Sequence, residues 1–320
     1  VELAKLATKE TTNVRGDCRS NNNSILVVGG INLDNTYKLV SDDGDQQLRG
    51  VTHAANFNQC LGGVGRNMCE GLIRFGLKEA QLITALSNDL AGRILCNESK
   101  RIGFDVNKWL IVDDKVSTGS YCAVFDRSGE LMLGCGDMAA HDHITVELIE
   151  KNMATLTGSR LCVIDADLPT RTIQFICDTC HTANIPVWFN PTDVRKCAKV
   201  VHGHSLSKLT YISPNQKELV RLFKSHVESL LEQKRTVKVS LFELYERLSR
   251  ASEDKIAFDD DDPSLHSILD CLLREVPFIV LSRGSSNLLL ASAIDLDPNA
   301  SAQLPVSPDD LIRFKRDYKW

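Results

Sequence analysis

The chain reads as an α/β protein built on a mostly parallel central sheet with helices on both faces. Three observations carry that expectation. The run Ser24-Ile25-Leu26-Val27-Val28 is apolar without alternation, as a strand covered on both faces must be. Further short apolar runs at residues 81–85, 161–165, 186–190, 209–213 and 278–282 alternate with segments of helical spacing, which is the pattern of βαβ units. The stretch Leu61-Gly62-Gly63-Val64-Gly65-Arg66-Asn67-Met68 is a glycine-rich loop running into an amphipathic helix, with Leu72, Ile73 and Phe75 on its buried side. A length of 320 residues and a hydrophobic content of 43% suffice for one large domain, or a domain with a small lid.

Taken in order, residues 1–23 stand apart. Val1 to Ala7 has helical spacing, and the polar stretch ending Ser20-Asn21-Asn22-Asn23 reads as a linker. This stub is expected to be the tail of an upstream domain. The first strand ends in Gly29-Gly30, followed by Asn32 and Asp34. In parallel sheets ligands bind beyond the carboxyl ends of strands. Two residues apart on extended backbone, Asn32 and Asp34 share a face. An amide and a carboxylate together can grip vicinal hydroxyls; a turn Asn with a capping Asp is the plainer alternative. At the second loop, bare glycine backbone lets a ligand press close, and the helix N-terminus offers unpaired N–H donors. Gly62, Gly63 and the Asn67 amide would line that corner, although a glycine turn before a helix also occurs without any ligand.

The segment 34–56 and the hairpin 119–133, turning at Ser128-Gly129, are expected to form a small β lid. Asn215, after Pro214, starts a helix with Glu218 in its first turn, where a carboxylate favours the helix dipole. A polar insertion follows before Ser282. It holds Lys234-Arg235, a helical stretch at 241–248, and Asp259-Asp260-Asp261-Asp262-Pro263, read as a solvated acidic loop.

Composition excludes several classes. A net charge of −5 gives no basic surface for nucleic acid. No apolar run approaches the ~20 residues that span a bilayer, so no membrane partner is expected. Eleven cysteines, several inside apolar runs, fit a reducing, cytoplasmic interior more than a disulfide framework. Cys177-Asp178-Thr179-Cys180-His181 has the spacing of a haem attachment but sits on helical periodicity, and is read as helix. His141-Asp142-His143 is read as a solvated loop in preference to a metal site, so that replacing His141 should matter little.

Gly-Gly-Ile-Asn-Leu-Asp at 29–34 followed by Gly-Gly-Val-Gly-Arg-Asn at 62–67 resembles the ribokinase-like (PfkB) family of sugar and nucleoside kinases. Other pieces fall in the family's order: Ser117 to Val124, Asn190-Pro191-Thr192-Asp193, Asn215-Gln216-Lys217-Glu218, and Phe278 to Gly284 with Asn287 to Leu290. Tyr121 to Leu131, closed by Gly136-Asp137-Met138, and Val163 to Pro169 are similar to the branch that acts on pseudouridine. The resemblance covers residues 24 to 295. It implies ATP-dependent phosphorylation of the 5′-hydroxyl of pseudouridine, or of another sugar or nucleoside, with ATP and Mg²⁺ as cofactors. It also implies roles. Asn32, Asp34, Gly62, Gly63, Asn67 and Asp167 would hold the sugar. Asn215, Ser282, Gly284 and Asn287 would border the nucleotide, with Glu218 in the magnesium shell through water. A helix start with a dipole-favouring Glu remains the alternative for Asn215 and Glu218. In eukaryotic relatives of that branch a pseudouridine-5′-phosphate glycosidase precedes the kinase, which suits the stub at Val1 to Ala7. Homo-oligomerisation is left open.

The family closes its site with a Gly-Ala-Gly-Asp motif that supplies an anion hole and the general base. No such motif occurs between Ala291 and Trp320, and Asp309-Asp310 lack the glycines. No catalytic residue is therefore assigned. One lost anion-hole donor costs about 10²–10³ in rate, and a lost base roughly 10²–10⁴ more. The expectation is a C-terminally incomplete kinase domain over 24–320, inactive or very weak, with a sugar-binding pseudokinase as the alternative.

Overall fold

The computed structural model describes residues 24–40, 50, 52–112, 116–251, 257–259, 261–284 and 288–293, and the backbone of 312–314. The stub and linker of 1–23, part of the 34–56 segment, Asp260, Asn287 and Asp309-Asp310 lie outside the described residues.

In chain order the first half comprises β1 (Ile25–Val28), β2 (Asn32–Leu39), β3 (Ala55–Gly62), α1 (Val64–Arg74), β4 (Gln81–Ile83), β5 (Ala85–Ser87), α2 (Leu90–Ile102), β6 (Leu110–Val112), β7 (Ser120–Phe125) and β8 (Leu131–Asp137). There follow α3 (Val146–Lys151), α4 (Met153–Gly158), β9 (Leu161–Asp165), α5 (Thr170–Thr182), β10 (Val187–Asn190), α6 (Lys199–His202), β11 (Tyr211–Ile212) and α7 (Gln216–Glu232). The last elements are α8 (Val239–Arg250), α9 (Pro263–Leu272), β12 (Phe278–Leu281), β13 (Leu289–Ser292) and β14 (Ile312–Phe314).

Eight strands form the central sheet in the order β14-β13-β12-β11-β10-β9-β1-β4. All its pairings are parallel except β12 with β13. Alternate residues of each strand enter opposite layers, which explains the unbroken apolar runs. Leu26, Val28, Cys162, Ile164 and Phe189 pack with Ile173, Ile176, Leu219 and Phe223 of α5 and α7. Ile25, Val27, Leu161, Val163 and Trp188 pack on the other face with Cys69 and Leu72 of α1 and Leu95 of α2. Fully burying one such Val, Leu or Ile contributes roughly 1.5–3 kcal/mol. The expected fold class is the one observed.

Local differences have identifiable causes. The apolar run 81–85 breaks at buried Thr84, so β4 stays in the central sheet while β5 pairs in parallel with β6. Phe75 is 63% exposed because α1 ends at Arg74 and Phe75 is its C-cap. The acidic run is more than a loop: Asp262 caps α9 by accepting the Ser264 N–H at 2.7 Å, with Pro263 at the first helical position.

A second, four-stranded sheet has the order β3-β2-β7-β8. Its β7–β8 hairpin turns where Asp126 accepts from Ser128, Gly129 and Glu130, with Gly129 at φ +97°. The sequence places Asn32 and Asp34 on extended backbone beyond the end of β1; the structure makes that stretch β2 of this second sheet.

Candidate active site

Strand order locates the crevice. The chain leaves β1 toward β4 on one side and returns through β9 to β10 on the other. The carboxyl ends of β1 and β9 therefore flank a topological switch point, where open α/β sheets bind ligands.

Asp165 ends β9, is fully buried, and ties the two glycine corners together. Its Oδ2 accepts the N–H of Gly30 and of Gly65, each at 2.8 Å, and its Oδ1 accepts the N–H of Asp167 at 3.0 Å. Gly65 lies so close to Gly29 that an added Cβ would come within 2.7 Å of the Gly29 Cα. Burial and the neighbouring Asp167 push the Asp165 carboxyl up to about 7, against the three N–H donors that favour its charged form. In the sequence Asp165 lies within the Val163 to Pro169 segment without a role of its own. A carboxylate ending a buried apolar strand was the available signal, since buried acids need partners.

Asn32 and Asp34 form the next layer. The Asn32 amide donates to Asp34 Oδ1 at 2.7 Å. The Asp34 carboxylate occupies the space that a Cβ on Gly62 would need. Gly62 is thus the last residue of β3, kept bare for Asp34, and only Gly63, at φ +96°, belongs to a loop. Burial raises the Asp34 pKa, partly offset by Asn32 and by Arg66. Arg66 is 4% exposed; it donates to the Leu61 carbonyl at 2.8 Å and to Asn67 Oδ1 at 2.6 Å, and pairs with Glu70. With Oδ1 engaged, exposed Asn67 presents its Nδ2 donor.

Asp167, 8% exposed, accepts from Lys196 Nζ at 2.7 Å on Oδ1. Lys196 also meets Asp193 at 3.4 Å. Burial works against the Lys196 ammonium, but these carboxylates outweigh it and raise its pKa. Lys196 and Asp193 were not among the expected site residues, because no sequence spacing links them to Asp167.

His141 overturns an expectation. The sequence puts it in a solvated loop; the structure buries it to 2% exposure. Its Nε2 meets the Ile31 carbonyl at 3.0 Å, so Nε2 carries the donated proton. Its Nδ1 stands 3.9 Å from Asp167 Oδ2, without a hydrogen-bond partner among the described residues. The ring lies against Gly30 and Gly119, where the strands of the second sheet leave the body.

The residues expected to border the nucleotide form a separate cluster. Asn215 caps α7: its Oδ1 accepts the Glu218 N–H at 2.9 Å, and Glu218 Oε2 accepts the Asn215 N–H at 2.8 Å. Asn215 bridges Ser282, whose N–H donates to the Pro214 carbonyl at 2.9 Å. Gly284 follows at φ +62°. Glu218 is 6% exposed, and burial followed by Asp193 raises its pKa. Asp193 therefore acts on Glu218 from one side and on Lys196, the partner of Asp167, from the other. Among the described residues no group of three or more His, Cys, Asp or Glu is arranged to hold a metal ion. Among the described residues no helix is long and apolar enough to cross a membrane.

Known proteins share this architecture. Arabidopsis thaliana ribokinase, solved with ribose and ATP, superposes with a TM-score of 0.60 at 15% identity, over 87% of this chain and 77% of that one. Pseudouridine kinase of Escherichia coli is 31% identical over 157 residues, 49% of this chain and 48% of that protein. Pseudouridine kinase of Arabidopsis thaliana is 26% identical over 270 residues, 83% of this chain and 65% of that protein. The chain thus spans about half the length of the first of these two kinases and about two thirds of the second. The sequence pattern of the pfkB family carbohydrate kinases matches residues 22–244, and the chain belongs to that family.

Proposed function

We propose that this chain forms the sugar- and nucleotide-binding part of an ATP-dependent kinase for the 5′-hydroxyl of pseudouridine. The observation that carries the reading is the pairing of Asn32 with Asp34 against bare Gly62, at the switch point held by Asp165. Asn32, Asp34, Asn67 and Asp167 would bind ribose hydroxyls, with Gly62 and Gly63 giving the room. Asn215, Ser282, Gly284 and Asn287 would border the nucleotide. Glu218 would orient magnesium-bound water, and the ion when bound neutralises phosphate charge. The β3-β2-β7-β8 sheet would act as lid, excluding water that competes for the phosphoryl group. Phosphoryl transfer asks mainly for positioning and charge stabilisation, which these groups suit. Fusion to a pseudouridine-5′-phosphate glycosidase through residues 1–23 belongs to the same proposal.

The test is a nucleoside panel. The purified chain, and a longer version carrying a Gly-Ala-Gly-Asp segment where the gene encodes one, are offered pseudouridine, uridine, adenosine and ribose with Mg·ATP. Preferential phosphorylation of pseudouridine by the longer version is expected. Transfer to ribose with none to pseudouridine overturns the substrate assignment. Calorimetric sugar binding by both versions, with no turnover by either, supports a non-catalytic sugar-binding protein instead.

A further inference from the structure

The outer face of the second sheet carries a thiol pair that the site does not use. In the β7–β8 hairpin the register sets Cys122 directly opposite Cys135. Both are free thiols; Cys135 is exposed and Cys122 partly so. Opposed residues of an antiparallel pair point their side chains to the same face, with Cα atoms about 4.5 or 5.5 Å apart. Both separations fall inside the roughly 4.4–6.8 Å that a disulfide spans. The alternation of β2 and β7 puts these thiols on the face opposite to Asn32, Asp34 and Tyr121, away from the sugar corner. Cys60 is also exposed, but the residue opposite it is Asp34, so it has no thiol across the ladder.

We propose that Cys122 and Cys135 are a reversible modification site, closing to a cross-strand disulfide with a peroxide-class oxidant. The thiolate of one cysteine attacks a peroxide oxygen. An S–O bond forms, the O–O bond breaks, and the hydroxide released takes up a proton as water. The partner thiol then attacks that sulfenic sulfur. The S–S bond forms, the S–O bond breaks, and the second hydroxide leaves as water with the thiol's proton. Two thiols lose two electrons, and one hydrogen peroxide becomes two waters. A dithiol reductant reverses the bond by exchange. The tie would couple β7 to β8 along the ladder that carries Tyr121, whose ring lies against Gly134 and Gly136.

Peptide mapping tests the bond without reference to activity. Trypsin cuts at Arg127, so Cys122 and Cys135 fall in separate peptides, 116–127 and 128–151, each with a single cysteine. After mild hydrogen peroxide and blocking of remaining thiols, the expected product is these two peptides joined, from a protein of monomer mobility on a non-reducing gel. Dithiothreitol should separate them. Cys122→Ser and Cys135→Ser should each abolish the linked product while leaving the chain folded by circular dichroism. Sulfenic or higher acids at Cys135 with no linked peptide overturn the proposal. So do links that include Cys60, or links found only between two copies. A second arm, resting on the kinase reading above, asks whether the oxidised lid slows pseudouridine phosphorylation until dithiothreitol is added. In the longer version carrying the Gly-Ala-Gly-Asp segment, a linked peptide with no turnover in either state would count against the kinase reading and leave the thiol pair standing.

Discussion

At the glycine corner one carboxylate, Asp165, gathers backbone N–H groups lying 135 and 100 residues away along the chain. At the proposed nucleotide corner one carboxylate, Glu218, accepts an N–H three residues away. The first corner exists only when β1, α1 and β9 have assembled. The second is a helix cap that α7 brings with it. Damage at Asp165 should therefore register as lost folding and lost sugar binding together. Damage to the second should separate into a small stability effect and a ligand effect.

The largest expected effect is at Asp165. Asp165→Ala leaves the N–H groups of Gly30, Gly65 and Asp167 buried without their acceptor. At roughly 1–3 kcal/mol per orphaned group, with relaxation recovering part, the loss is about 3–5 kcal/mol in urea denaturation. A loss below about 1 kcal/mol would erase the contrast between the corners. The same residue gives a pH signature. Its carboxyl is raised from 3.8 to about 7, so the folded chain holds that proton more tightly than the unfolded one. Its contribution to stability is complete below 3.8 and is lost as pH rises through about 7. Stability of Asp165→Asn, measured at intervals across that window, should lack this decline.

Next comes Asp34. Hydrogen bonds to a charged group are worth about 1.5–3 kcal/mol, so Asp34→Ala in a turnover-competent version should lower kcat/KM for the nucleoside roughly 10- to 150-fold. Denaturation midpoints should hardly move, because Asp34 lines the site instead of joining the core. An unchanged kcat/KM would take the sugar away from this corner.

These cases show what a sequence can reveal. The unbroken apolar run at Ser24 to Val28 discloses a doubly covered strand because burial on both faces is written residue by residue. The Asn215 cap is legible for the same reason: both partners sit within one helical turn. The spacing of Asn32 and Asp34 shows that they share a face, but not that the face belongs to a second sheet. The sequence does not disclose the roles of Asp165, Lys196 and His141, because they depend on partners far along the chain. A histidine between Ala140 and Asp142 looks solvated until Gly30, Ile31 and Gly119 close over it.

A smaller effect is expected at His141. His141→Ala removes the donor to the Ile31 carbonyl and opens space beside Asp167 and the two glycines. The expected cost is about 1–3 kcal/mol of stability, with a several-fold rise in KM for the nucleoside. His141→Gln can restore the donor through its own Nε2 and should recover most of the loss. Equal losses in both variants would mean that ring volume, and not the hydrogen bond, holds this position.

The finest discrimination is at Glu218. Glutamine serves as well as glutamate at the third position of a capping box, since its side-chain oxygen also accepts the N-cap N–H. Glu218→Gln should therefore keep the denaturation midpoint within a few tenths of a kcal/mol of the parent. Asn215→Ala, which removes the cap itself, should cost about 1 kcal/mol. If Glu218 also orients magnesium-bound water, its charge matters to the nucleotide even where it does not matter to the helix. The neutral variant should then raise KM for Mg·ATP by roughly 3- to 10-fold, a loss of about 0.7–1.4 kcal/mol. Sugar affinity, read by calorimetry, should stay constant, because Lys196 and Asp167 are untouched. A Glu218→Gln chain that uses Mg·ATP as well as the parent would reduce this residue to a helix cap, and the nucleotide corner would lose its metal-side contact.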